Sequence, residues 1–297
     1  MNKMIHKTML SSYSSENDWF GTNYTVNLYR GCSHGCIYCD SRNSVYKILN
    51  FNKVTPKVDA IEIVKKELKS KRKKGVISIG AMSDPYNPLE NKLKLTRNFL
   101  EEINKERFGV SIDTKSSLVT RDIDILKKIR EHSPVIVKLT ITTFNDDLCR
   151  KIERCVDSTK KRFEALKELS NNGIYTGVLL LPILPFINDD EENIRNIIRE
   201  AYRCNAKFVF SYFLGVTLRG NQRSYFYEAL KEIFPKDNFI KKYEEFYKDK
   251  SNCISLKNEK LLKVFKDECE KYNLLYKIED IIKDYKASYS LEQLKLF

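Results

Sequence analysis

The sequence predicts an α/β fold: six parallel strands in a partial (β/α)6, TIM-like barrel, followed by a helical C-terminal extension. Three observations carry this. From residue 24 onward, short apolar or β-branched runs alternate with amphipathic helical segments, the pattern of parallel strands with helices outside. Six such units can be counted, fewer than the eight that close a full barrel. After about residue 218 the chain turns Lys/Glu/Tyr-rich and reads as helix. At 297 residues, with 42% hydrophobic residues, 16 Phe and 17 Tyr, the chain can bury a substantial core. The expected organisation is a lead-in at 1–22, the barrel at 23–217 and the extension at 218–297.

Residues 1–22 are polar and Ser-rich, a lead-in expected to cover one end of the core. Residues 24–29 form the first strand, which ends on a cysteine-rich loop. Thr55-Pro56 signals a helix start, a capping hydroxyl followed by proline at the first helical position. Val58, Ile61, Val64 and Leu68 give that helix one apolar face. The second strand is 76–81 and its helix 96–108. The third strand is 110–114, with a helix opening at Thr120 and Asp122 in its first turn. The β-branched run 135–143 is the fourth strand. Ser158 caps the helix carrying Phe163, Leu166 and Leu169, which stops at Asn171-Asn172-Gly173. The fifth strand is 174–181, the next helix starts in a capping box of Asp189 with Glu192, and the sixth strand is 206–214. In the extension, Ile233, Phe234, Ile240 and Tyr243, then Leu261, Leu262, Val264 and Phe265, are the residues expected to be buried.

The formal charge is +13, but the basic residues are mostly Lys beside Glu and Asp, as in Lys65-Lys66-Glu67 and Lys241-Lys242-Tyr243-Glu244-Glu245. Solvated helix faces account for such runs. Attraction to nucleic acid is the alternative, and no nucleic-acid-binding motif accompanies the charge. The first ten residues lack an apolar signal core. The longest apolar stretch, 177–187, contains two prolines and is too short to span a bilayer. No membrane association is expected, and eight cysteines without a secretory signal point to a reducing, cytoplasmic setting.

Three of those cysteines stand at C-x3-C-x2-C spacing in Cys32-Ser33-His34-Gly35-Cys36-Ile37-Tyr38-Cys39. Thiolates suit iron–sulfur clusters and zinc, and a purely structural site of either kind takes four protein ligands. A cubane held by three leaves one iron open to a substrate. A zinc loop completed by His34 or a distant residue is the other reading. Cys149, Cys155, Cys204, Cys253 and Cys269 are isolated and form no second cluster motif.

The spacing resembles that of the radical S-adenosylmethionine (radical SAM) enzymes, whose fold is also a partial barrel. The likeness narrows further. Asn27-Leu28-Tyr29-Arg30-Gly31-Cys32 through Cys39, Ser83-Asp84-Pro85-Tyr86-Asn87-Pro88-Leu89-Glu90, Thr114-Lys115-Ser116 with Arg121-Asp122, then Thr140 to Thr143, Glu153, Arg162 and Pro182 to Asp189 follow in order the blocks of the spore photoproduct lyase-related (DNA repair photolyase-like) group. The resemblance implies a [4Fe–4S] cluster on Cys32, Cys36 and Cys39, with SAM chelated by the open iron and reductively cleaved to a 5′-deoxyadenosyl radical for hydrogen abstraction. It places Tyr38, Ser83, Lys115 and Thr140 around SAM. Complementarity with the cofactor's carboxylate, ammonium and ribose adds Asp84 and Thr142, at strand ends where such folds bind ligands.

The departures matter. Leu28 replaces the group's proline, Asp40 replaces an aromatic after the third cysteine, and Arg154 follows Glu153 where many members have proline. Ala81 occupies the position at which true spore photoproduct lyases carry their hydrogen-donor cysteine, so dimer repair does not follow from the likeness. Tyr86, Tyr212 and Cys204 are the residues considered for handling a substrate radical. A flavodoxin- or ferredoxin-type reductant is the expected partner. The rival readings are a non-catalytic iron–sulfur protein and a DNA-binding repair factor.

Overall fold

The structure is a computed structural model describing residues 8–13, 19–57 and 59–293. A seven-stranded sheet organises it. β1 (Ser11–Ser12) pairs antiparallel with β2 (Tyr24–Val26). A separate pair, β3 (Tyr29–Arg30) with β4 (Thr55–Pro56), brackets the cysteine loop. Helix α1 (Ala60–Ser70) leads to β5 (Val76–Ile79), α2 (Glu90–Leu93) and α3 (Leu95–Lys105) to β6 (Gly109–Thr114), and α4 (Ile123–Arg130) to β7 (Val135–Thr140). Helices α5 (Asp146–Ile152) and α6 (Thr159–Asn171) precede β8 (Tyr175–Leu179), and α7 (Glu191–Arg203) precedes β9 (Phe208–Phe210). The order is β1-β2-β5-β6-β7-β8-β9, with every pair after the first parallel. Six parallel strands with helices between them form the partial barrel expected from the sequence.

Strand alternation sends successive residues to opposite faces. Ile77, Ile79, Val110, Ile112, Val137, Leu139, Val178 and Val209 face the helices, where they meet Val64, Leu68, Phe99, Ile103 and Leu166. Val76, Ile136, Leu179, Phe208 and Phe210 point to the other side, the barrel interior. There Phe20 packs against Phe210 at 5.1 Å and accepts on its carbonyl a hydrogen bond from the Tyr285 hydroxyl at 2.7 Å. Residues 1–7 and 14–18 of the lead-in lie outside the described residues; its Trp19–Gly21 turn and the last helix together floor the barrel.

Beyond the barrel come β10 (Gly215–Thr217), α8 (Asn221–Ile233), α9 (Phe239–Tyr247), β11 (Asn252–Ile254), α10 (Asn258–Lys271) and α11 (Ile278–Gln293). The extension is therefore not helical throughout, because β11 returns to pair antiparallel with β10. Tyr243, Leu261, Val264 and Phe265 are buried, while Ile233, Phe234, Ile240 and Leu262 are half-buried.

Other differences are local. Thr55-Pro56 pairs with Tyr29–Arg30 instead of starting a helix, and α1 begins at Ala60 after Asp59 in the left-handed region (φ 65°). Val58 lies outside the described residues, while Val64 and Leu68 are buried and Ile61 packs against the core. The first strand breaks after Val26, and the fourth to sixth strands are shorter than their apolar runs. A 3-10 turn, Ser117–Asp122, capped by Ser116, stands where a helix was expected at Thr120. Asp190, not Asp189, caps α7, because Asp189 is engaged by Ser255 Oγ at 2.6 Å. Ser158 caps α6 as expected, accepting from the Lys161 amide.

Candidate functional site

The cysteine loop is held from several sides. Gly31 has φ 76°, and a Cβ there would lie 2.6 Å from the Phe51 carbonyl, so only glycine permits that approach. The Cys32 amide donates to this same carbonyl at 2.8 Å. Farther along, the Ile37 amide donates to Ile152 O at 3.0 Å, Cys36 forms a β-bridge with Glu153, and the Cys155 amide donates to His34 O at 2.9 Å. Residues after β10 close the third side. Arg219 donates to both carboxylate oxygens of Asp40 at 2.8 and 2.6 Å and to the Tyr46 hydroxyl at 2.9 Å. Asn43 Nδ2 donates to Arg219 O, and Gln222 Nε2 donates to Tyr38 O. Asp40, an outlier in the motif, is thus the anchor of an ion pair.

The three thiols open on one cavity of about 120 Å³, whose facing wall is built from the ends of β5, β6 and β7: Ala81, Ser83, Asp84, Asp113, Lys115 and Thr140. Among the described residues, no three His, Cys, Asp or Glu side chains form a group able to hold a single metal ion. All three cysteines line this one cavity. Burial pushes Cys32 up to about 11 and Cys36 well above an ordinary thiol. Such buried thiols become ligands when a cationic centre binds their thiolates and their protons are released to solvent. The donor set fits an iron–sulfur centre.

The strand-end residues divide by what they do. Ser83 Oγ donates to Gly31 O, tying β5 to the cysteine loop. Asp84 accepts from Thr114 Oγ1 and the Lys115 amide, both at 2.7 Å, and from the Tyr86 amide at 2.9 Å, with His34 Nε2 at 3.7 Å. Lys115 Nζ lies 5.8 Å from the Tyr38 ring centroid. Burial opposes its charge, but the neighbouring Cys36 and Glu153 more than offset this and raise its pKa. Tyr38 and Thr142 are buried and do not line the cavity: the Tyr38 hydroxyl donates to Glu153, and Thr142 Oγ1 lies 3.5 Å from the same carboxylate. The residues considered for a substrate radical are placed elsewhere. Tyr86 lines a neighbouring cavity, Cys204 lies in a groove beside α6, and Tyr212 is exposed.

Sequence reasoning did not single out the buried backing of the loop. Glu153 and Arg162 form an ion pair with no exposed side-chain surface. Arg162 also donates to Asp157 O at 2.9 Å, Thr140 O at 2.7 Å and Cys149 Sγ at 2.8 Å. Both residues stood among the motif blocks, which was the available signal. Nothing in the spacing marked Arg219 or Gln222.

A family model described as the Radical SAM superfamily matches residues 26–198. An uncharacterized protein of Methanocaldococcus jannaschii is 41% identical over 171 residues, covering 58% of this chain and 64% of that protein. The match therefore spans less than two thirds of that relative's length. An uncharacterized protein of Mycobacterium tuberculosis is 26% identical over 233 residues, 76% of this chain and 67% of the relative. Among solved structures, a substituted spore photoproduct lyase superposes with a TM-score of 0.65 at 13% identity, over 90% of this chain and 78% of that one. Another, with bound AdoMet and dinucleoside spore photoproduct, gives 0.62 at 14%, over 89% and 76%. At such identity the likeness is one of fold.

Proposed function

The chain belongs to the radical SAM superfamily, and on that premise we propose that Cys32, Cys36 and Cys39 hold a [4Fe–4S] cluster at which SAM is used to take hydrogen from a substrate. One observation carries the reading: three thiols of one eight-residue loop face a single cavity walled by three successive strand ends. Cys32, Cys36 and Cys39 would hold the cluster, which, with SAM bound in the same cavity, would supply the one-electron chemistry that splits the sulfonium into methionine and a 5′-deoxyadenosyl radical.

The chain's own residues bind and orient. Lys115, a charged lysine on the cavity wall, takes the cofactor carboxylate. Asp84, which lines the cavity, is oriented by Thr114, Tyr86 and the Lys115 amide, with His34 Nε2 3.7 Å from Oδ2, and its carboxylate serves the ammonium. The Thr140 hydroxyl serves the ribose, with its carbonyl held by Arg162. Ser83 fixes the loop, while Tyr38 and Thr142 act from behind through Glu153. Ala81 lines the cavity, so that position supplies no thiol hydrogen, and the reading stops at hydrogen abstraction. A flavodoxin- or ferredoxin-type protein supplies the electron.

The test is anaerobic reconstitution with iron and sulfide, followed by dithionite and SAM. The expected product is 5′-deoxyadenosine, lost together with the cluster absorption in Cys36→Ala. Stoichiometric zinc with no iron–sulfur absorption would refute the reading.

A further inference from the structure

Among the described residues, the segment after the cysteine loop leaves its most exposed apolar side chains uncovered. Leu49 is 90% exposed and Val45 62%. Lys47 and Asn50, at φ 52° each, turn the backbone so that this tip stands outward. From Ser41 to Lys57 the chain holds four basic residues, Arg42, Lys47, Lys53 and Lys57, and no acidic one. The nearest carboxylate in sequence, Asp40, is neutralised by Arg219. The tip is also joined to the thiol site: Leu49 is two residues from Phe51, whose carbonyl accepts the Cys32 amide.

We propose that residues 42–53 are the docking surface for a small acidic one-electron carrier protein, an inference that rests on the iron–sulfur reading above. Exposed aliphatic side chains on a segment whose own charges are all basic match an acidic protein with an apolar contact. A phosphate backbone would use the lysines and leave Leu49 and Val45 in water. Short-lived redox encounters need little buried area, and charge complementarity sets their on-rate. One electron leaves the carrier, which is oxidised by one, and is taken up at the cysteine-held centre. No bond or proton changes.

The experiment uses the full-length reconstituted chain and flavodoxin as the probe. Stopped-flow follows reduction by flavodoxin hydroquinone, a fluorescence titration follows binding of oxidised flavodoxin, and dithionite is the small-molecule control. Lys47→Glu/Lys53→Glu is expected to slow flavodoxin reduction and weaken binding about tenfold at low ionic strength, with the gap closing at high salt. Leu49→Ser is expected to raise the off-rate severalfold with little salt dependence. Dithionite reduction stays unchanged in both. Unchanged flavodoxin rates would overturn the proposal, as would loss of dithionite reduction, a dimer that Leu49→Ser dissolves, or weakened DNA binding with flavodoxin unaffected. Failure of every form to take up a cluster sinks the underlying reading instead, and the binding titration, which needs no metal, still reports on docking.

Discussion

Replacing Arg162 by methionine tests the idea that a buried ion pair holds the cysteine loop in place. The guanidinium and the Glu153 carboxylate are both fully buried, and the Tyr38 hydroxyl donates to the same carboxylate. Burial opposes ionisation of Glu153, but Arg162 and then Lys115 outweigh it and hold the pKa below the usual carboxylate value. Methionine fills much of the volume and removes the charge. Removing one partner of a buried pair costs about 3–5 kcal/mol, because the other charge stays behind. The Asp157 and Thr140 carbonyls also lose a donor, at about 1–3 kcal/mol for each group left unsatisfied, although these terms overlap and do not add. The expected loss is about 4 kcal/mol, a large share of the roughly 5–15 kcal/mol typical of a folded protein.

Urea denaturation of the reduced, metal-free chain measures it, with the m-value expected to hold. Adding Glu153→Gln discharges the stranded carboxylate, so the double variant is expected to be more stable than the sum of the singles by at least about 1 kcal/mol. Iron retention after reconstitution should fall in parallel, since Cys36 bridges to Glu153 directly. A cost for Arg162→Met below about 1 kcal/mol, or strict additivity, would refute the reasoning.

Two further outcomes follow from the structure. Gly80 has φ 106°, and a Cβ there would lie 2.1 Å from the Asp113 carbonyl, so Gly80→Ala should cost about 2–3 kcal/mol in the same urea assay; an unshifted midpoint would contradict the close approach of β5 to β6. His132 sits between Ser133 Oγ at 2.9 Å and Asn104 Oδ1 at 3.0 Å, and burial followed by Arg107 lowers its pKa. Its contribution to stability is therefore complete above the unfolded value of about 6.5 and declines as pH falls through that value toward the folded one. Thermal unfolding of His132→Asn between pH 5 and 7.5 should show a flatter pH dependence than the parent, and equal slopes would exclude His132 as the source.

The strands were legible because β-branched runs such as 135–140 leave little alternative, and the cysteine loop stood out because thiol spacing is a chemical signal independent of fold. Features that depend on distant partners were not. Thr55-Pro56 carries a helix-start signal, yet the entry to the cysteine loop, some 25 residues earlier, captures it as a strand. Asp189 looks like a cap, and Ser255 takes it away. The short β11 has no strand pattern of its own and exists because β10 offers an edge. At the site, the cavity gathers the three cysteines with Ser83, Asp84, Lys115 and Thr140. Tyr38 and Thr142 turn instead toward Glu153, a direction that only the packing decides.

Arg219 and Gln222 lie past residue 198, where the match to the family ends, yet they clasp the loop that carries the three thiols. The most recognisable part of this protein thus borrows part of its rigidity from a stretch that membership of the family does not prescribe. A chain trimmed to the matched core would keep every signature residue and lose the outer hand that steadies them. How firmly the cysteine loop is held thus becomes, in this chain, partly a property of the tail.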